Sequence, residues 1–116
     1  MYKRQLWLTG RVARTPHPDG RELAARVGAL CADCAAVFGG SEVFLLQRYG
    51  VAGPLLYRRA SVAQVRRDLA AWPELEGPIG ITSALADSAA LPGQGSRVAD
   101  GLRLYRLDAS ALRFAR

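Results

Sequence analysis

The spacing of apolar residues changes several times between Asp19 and Trp72, and each change marks an element. Leu23, Val27, Leu30, Cys31 and Cys34 recur at helical intervals behind Asp19 and Glu22, a D-x-x-E pair of capping-box type. This pattern predicts a helix over about 19–35, with small alanines that let it lie close to a sheet. It should end near Ala35–Phe38, ahead of Gly39 and Gly40. An alternative division makes Cys34–Phe38 a short strand that turns at Gly39-Gly40-Ser41-Glu42. Val43–Leu46 is a continuous apolar run, the pattern of a buried strand. Ala52-Gly53-Pro54 is turn chemistry, and Leu55, Leu56 and Tyr57 restart a strand that ends in Arg58 and Arg59. These signals predict a β-hairpin over about 41–60. Ser61 then caps a second helix over about 61–72, with Val62, Val65, Leu69 and Trp72 on one face and Arg66, Arg67 and Asp68 in water.

The flanks supply further strands. Leu6–Val12 mixes β-favouring residues before the Pro16/Pro18 break. Gly77-Pro78 turns the chain into Ile79–Leu85. Asp87–Gly101 reads as a loop without a core of its own and as the most mobile stretch. Leu102–Leu107 reads as a last strand, and Asp108 as the cap of a terminal turn reaching Leu112 and Phe114. The expected order is β-α-β-β-α-β-β. The fold class is α+β: a small antiparallel sheet with the 41–60 hairpin at its centre and both helices packed on one face.

Composition alters this picture little. The chain has 116 residues, enough for one domain with one core, and half of them are hydrophobic. No apolar run approaches the roughly 20 residues that span a bilayer. With no signal peptide visible, the expectation is a cytoplasmic protein without membrane partners. Met1–Gln5, MYKRQ, matches what a transposon-based sequencing adaptor encodes, so it is set aside as an assembly scar of a metagenomic read. The expected domain is 6–116, with a natural N-terminus that extends upstream of Leu6. The net charge of +6 falls to +4 without Lys3 and Arg4, because fourteen basic residues then face ten acidic ones. All fourteen are arginine and asparagine is absent, the bias of a GC-rich genome, so the basic balance alone does not indicate nucleic acid.

Chemistry-bearing residues are few. Cys31 and Cys34 form a C-x-x-C, but with His17 as the only other ligand a tetrahedral zinc site is one short. Their mid-helix place on the apolar side reads as buried small hydrophobes. His17, between two prolines, reads as solvent-exposed. No catalytic constellation, metal site or cofactor is expected. The arginines are the rich polar resource, since their planar forks match carboxylates and phosphates. A separate reading takes LLQRYGVAGPLLYRR as a helix-turn-helix, with Leu56–Arg59 on a recognition helix and DGLRLYRLD as the strand of a winged helix.

SEVFLLQRYGVAGPLLYRRASV resembles the long hairpin of the chorismate lyase family and of the related HutC-type regulator ligand-binding domains. GPIGITSAL resembles that family's Pro-Leu-Gly segment, so the match runs over residues 41–86. Ser41 stands where the family has an arginine, and its late catalytic glutamate has no counterpart after Leu102. The resemblance implies a pocket for a small anionic or aromatic carboxylate, with Ile79 and Gly80 carried over. VFGGSEVFLL, IGIT and ADGLRLY also resemble segments of diguanylate-cyclase (GGDEF) domains, without their metal-binding aspartates. The resulting expectation is a small-molecule binding or sensing domain. Arg48 and Arg58 would hold an anion, Tyr49 and Tyr57 would pack on its apolar body, and backbone at Ile79-Gly80 would contribute. The alternatives are a chorismate-lyase-like enzyme and a winged-helix DNA-binding protein.

Overall fold

Ala36-Val37-Phe38 alternates its side chains between two apolar layers, as a strand buried on both faces must. This is the central strand of a computed structural model that describes residues 20–113. The expected strand at Leu6–Val12, the Asp19 cap, His17 and Phe114 lie outside the described residues.

The elements in order are α1 (Gly20–Cys31), β1 (Ala36–Gly39), α2 (Val43–Tyr49), β2 (Leu55–Arg58), α3 (Val62–Ala71), β3 (Pro78–Thr82), β4 (Ser96–Ala99), β5 (Leu102–Asp108) and α4 (Ala109–Arg113). The five strands form one sheet in the order β2-β1-β3-β5-β4. The β1 strand pairs in parallel with β2 and with β3, Val37 lying opposite Leu56 and Gly80. The other half is antiparallel, β3 with β5 and β5 with β4. The fold is α+β, with a mixed sheet that is larger than the small antiparallel one expected.

The segment 41–60 is corrected most. It is a helix followed by a strand, neither a hairpin nor a helix-turn-helix. Two parallel strands cannot be joined by a tight turn, so the chain leaving β1 needs a crossover to reach the start of β2. Val43–Leu46 supplies it. A four-residue apolar run fits a strand or a helix equally well by composition. Here Val43 and Leu46, three apart, are buried while Phe44 is exposed, which is helical burial. Leu55–Arg58 is the strand expected, which removes the recognition helix on which the winged-helix reading rested.

The helices also do not share a face. One layer joins Leu23, Val27 and Cys31 of α1 and Leu46 of α2 to Val37, Val98 and Leu104. The opposite layer joins Val65 and Leu69 of α3 and Leu112 of α4 to Phe38, Ile79 and Ile81. The physical reason is directional. The β1-to-β2 crossover runs outward and the β2-to-β3 crossover runs back past β1. Crossovers of one hand travelling in opposite directions lie on opposite faces of a sheet.

The helix expected over 61–72 forms as α3. The Ser61 hydroxyl accepts the Gln64 amide hydrogen at 3.2 Å, and the Gln64 side chain accepts that of Ala60 at 2.7 Å. The Asp87–Gly101 segment is more than a loop: it contains a short 3-10 turn at Ser88–Ala90 and the strand β4, and it buries Leu91 and Val98. Cys31 and Cys34, expected as separate buried thiols, are joined in a disulfide at the exit of α1.

Candidate functional site at the carboxyl ends of the parallel strands

The loops leaving β1 and β2 lead to helices on opposite faces. They therefore diverge and open a crevice beyond the strand ends, the place where open sheets of parallel strands take their ligands. A groove of about 720 Å³ occupies it. Gly40 and Ser41 line it from the β1 exit, Arg58 and Arg59 from the β2 exit, and Arg67 and Asp68 from the first turns of α3.

The groove's walls are tied together by polar contacts. After β1, Glu42 turns back on its own loop, and its Oε2 accepts the Gly40 amide hydrogen at 3.0 Å and the Thr82 hydroxyl at 2.5 Å. Thr82 is fully buried at the end of β3, so the carboxylate pins the β1 exit to the β3 exit. Gly39 permits this, since a β-carbon there would lie 2.6 Å from the same oxygen. The β2 and β3 exits are joined by the Ala86 amide donating to the Ala60 carbonyl at 2.9 Å, and by the Val62 amide donating to Ala86 carbonyl and Asp87 Oδ1, each at 3.2 Å.

The arginines differ in how committed they are. Arg59 donates to the Asp68 carboxylate and to the Arg58 carbonyl, and its guanidinium lies 5.3 Å from the centre of the Tyr57 ring. Arg58 lies over the Phe44 ring at 5.6 Å. Among the described residues neither Arg58 nor Arg67 has a carboxylate partner. The groove thus presents two guanidinium groups without a carboxylate partner among the described residues and one neutralised pair.

Of the residues expected from sequence to bind a ligand, Arg58 lines this groove. Tyr57 does not line it and is instead stacked on Phe38 at 5.6 Å and edge-on to Trp72 at 6.1 Å. Arg48 and Tyr49 sit at the far end of α2, away from the groove lining. Ile79 and Gly80 are buried within β3, and a β-carbon on Gly80 would meet Cys31 Sγ at 2.8 Å. The structure therefore gathers Arg58 with Arg59, Arg67, Gly40 and Ser41, and does not gather the six expected residues at one place. The missed signal was the alternative division at Cys34–Phe38: strand, Gly-Gly, then helix marks the carboxyl end of a parallel strand.

Among the described residues no group of three or more histidine, cysteine or acidic side chains could hold a metal ion. None of their helices is long and apolar enough to cross a membrane. No protein-family model, curated protein or solved structure matches the chain.

Proposed function

We propose that the protein is a binding or sensing domain for a small anionic ligand, held in the groove at the carboxyl ends of β1, β2 and β3. One observation carries the reading: Arg58 and Arg67 face the same polar groove without a carboxylate partner among the described residues. Guanidinium forks in such a place satisfy a carboxylate or phosphate by paired, charge-assisted hydrogen bonds. The groove volume suits a ligand of metabolite size. Ser41 and Gln64 add neutral polar groups that select among anions by hydrogen bonding. Arg59 serves as the fixed wall, since its charge is already matched by Asp68. The cytoplasm remains the proposed setting, although thiols are kept reduced there and the Cys31–Cys34 bond would depend on burial to persist.

The test is a thermal-shift and calorimetric titration with inorganic phosphate, benzoate and 4-hydroxybenzoate. A ligand at a hundred times its Kd stabilises the fold by about 2.7 kcal/mol. The expected result is a rise in Tm with at least one probe, lost in R58A/R67A and retained in R48A. A rise that survives R58A/R67A, or no rise with any probe, rejects the groove as the site.

A further inference from the structure

Three large apolar side chains are exposed among the described residues, Phe44, Tyr49 and Leu55, and all three lie on or between α2 and β2. Phe44 is 60% exposed and Tyr49 41%. Both rings have arginines over them. Arg58 lies 5.6 Å from the centre of Phe44, and Arg21 and Arg48 each lie 5.8 Å from the centre of Tyr49. Phe44 and Arg48 are four residues apart and so share one face of α2. The side chains therefore run along the surface as Arg58, Phe44, Arg48, Tyr49, Arg21, with cation and ring in alternation. Among the described residues neither Arg48 nor Arg58 has a carboxylate partner: Glu22 pairs with Arg26, and Glu42 holds Gly40 and Thr82.

We propose that this ridge binds single-stranded nucleic acid. A single strand alternates the same two features, a phosphate charge and a flat unstacked base. Phe44, the more exposed ring, offers such a base the face that Arg58 leaves open, while Arg48 and Arg58 beside it meet the phosphates. A duplex keeps its bases stacked inside and gives the rings nothing to cover, so the ridge selects against it. Among the described residues the outer face of α2 gains no apolar cover, and a polyanion is its charge complement. This surface is distinct from the groove: Arg67, which lines the groove, is not on the ridge, and Arg58 alone belongs to both.

The experiment is fluorescence anisotropy with a labelled dodecathymidylate, its uridylate counterpart and a duplex of equal length, on the full chain. The expected result is binding of both single strands at low salt, with affinity falling steeply as salt rises. Each phosphate contact adds about −0.7 to the slope of log K against log salt. F44A should weaken binding roughly five- to hundredfold, the loss of one base–ring stack, while F44W restores it. R48A should flatten the salt slope. R67A should leave single-strand binding unchanged, which keeps this outcome separate from failure of the small-anion groove. Phe44 is exposed, so F44A should fold, and an unchanged circular dichroism spectrum checks this. The proposal is overturned by the absence of binding at low salt. Equal affinity for duplex and single strand, or F44A binding as tightly as wild type, also overturns it, because the ridge would then act only as a general basic surface open to any acidic polymer.

Discussion

Glu42 and Thr82, forty residues apart, share a hydrogen bond of 2.5 Å between a carboxylate oxygen and a buried hydroxyl. The same oxygen takes the Gly40 amide hydrogen, so one carboxylate closes the loop after β1 and anchors it to the end of β3. Because Gly40 lines the groove, the contact sets the groove's shape as well as the fold's stability. Replacing Thr82 by valine keeps the volume and removes the donor. A hydrogen bond to a charged group is worth about 1.5–3 kcal/mol, so T82V should lose roughly 2 kcal/mol in urea unfolding. It should also weaken anion binding in the groove, though no arginine has been touched. Unchanged stability in T82V would show that water replaces the hydroxyl at no cost.

On the α1 face of the sheet, Gly80 lies against the last residue of α1. A β-carbon at this position would meet Cys31 Sγ at 2.8 Å and Leu104 Cδ1 at 3.0 Å. Cys31 is tied to Cys34 and fully buried, so it has little room to withdraw. G80A should therefore destabilise by about 1–3 kcal/mol, the range for overpacking a close-packed core. Chemical denaturation monitored by tryptophan fluorescence measures it. A neutral G80A would mean that α1 shifts freely on the sheet.

These relationships explain what could be read from the sequence. The 61–72 helix was legible because Val62, Val65 and Leu69 repeat at helical spacing and Ser61 stands at its cap, so local chemistry and burial agree. Leu55–Tyr57 and Leu102–Leu107 were legible as strands because each apolar run restarts after a glycine turn. Val43–Leu46 was not, since four apolar residues in a row carry no period. Its helical state is set by a non-local fact, that β1 and β2 run parallel. Arg58 was legible as a candidate groove residue because it ends a strand. Arg67 was not, because on an amphipathic helix a charged residue opposite the apolar stripe looks like any solvated one. Only the reversal of crossover direction brings it over the strand ends.

The Cys31–Cys34 bond closes a very short loop, so it restricts the unfolded chain little. The chain-entropy relation gives about 2 kcal/mol for a loop of this size. Reduction should lower the unfolding free energy by that amount, moving the urea midpoint down in proportion, and leave the m-value nearly unchanged. Cys31 is fully buried and Cys34 almost so, which makes local opening a condition for attack by a reductant. Reduction of the native protein should therefore be slow and should accelerate in sub-denaturing urea, as followed by mass shift after alkylation. Rapid reduction without urea would place the bond at an accessible surface instead.

Asp108 offers a test in acid. Its carboxyl lies below its ordinary value of 3.8, first because the Ser110 amide donates to Oδ1 at 2.9 Å and next because the Ser110 hydroxyl donates to the same oxygen at 2.8 Å, with a smaller contribution from Arg113. Both bonds favour the ionised form. A carboxyl whose pKa is depressed in the folded state contributes stability above its unfolded pKa, and this contribution is lost as pH falls through the folded pKa. The window therefore opens near 3.8 and extends downward. The group is solvent-exposed, so the titration itself is a better measure than global stability. A carboxyl-detected NMR titration should place the Asp108 midpoint below 3.8. S110A keeps the amide hydrogen and removes only the hydroxyl, so the midpoint should rise without recovering the ordinary value. Full recovery in S110A would assign the shift to the hydroxyl alone. Added salt should move it only slightly, because the charge of Arg113 is the weakest of the three favourable causes.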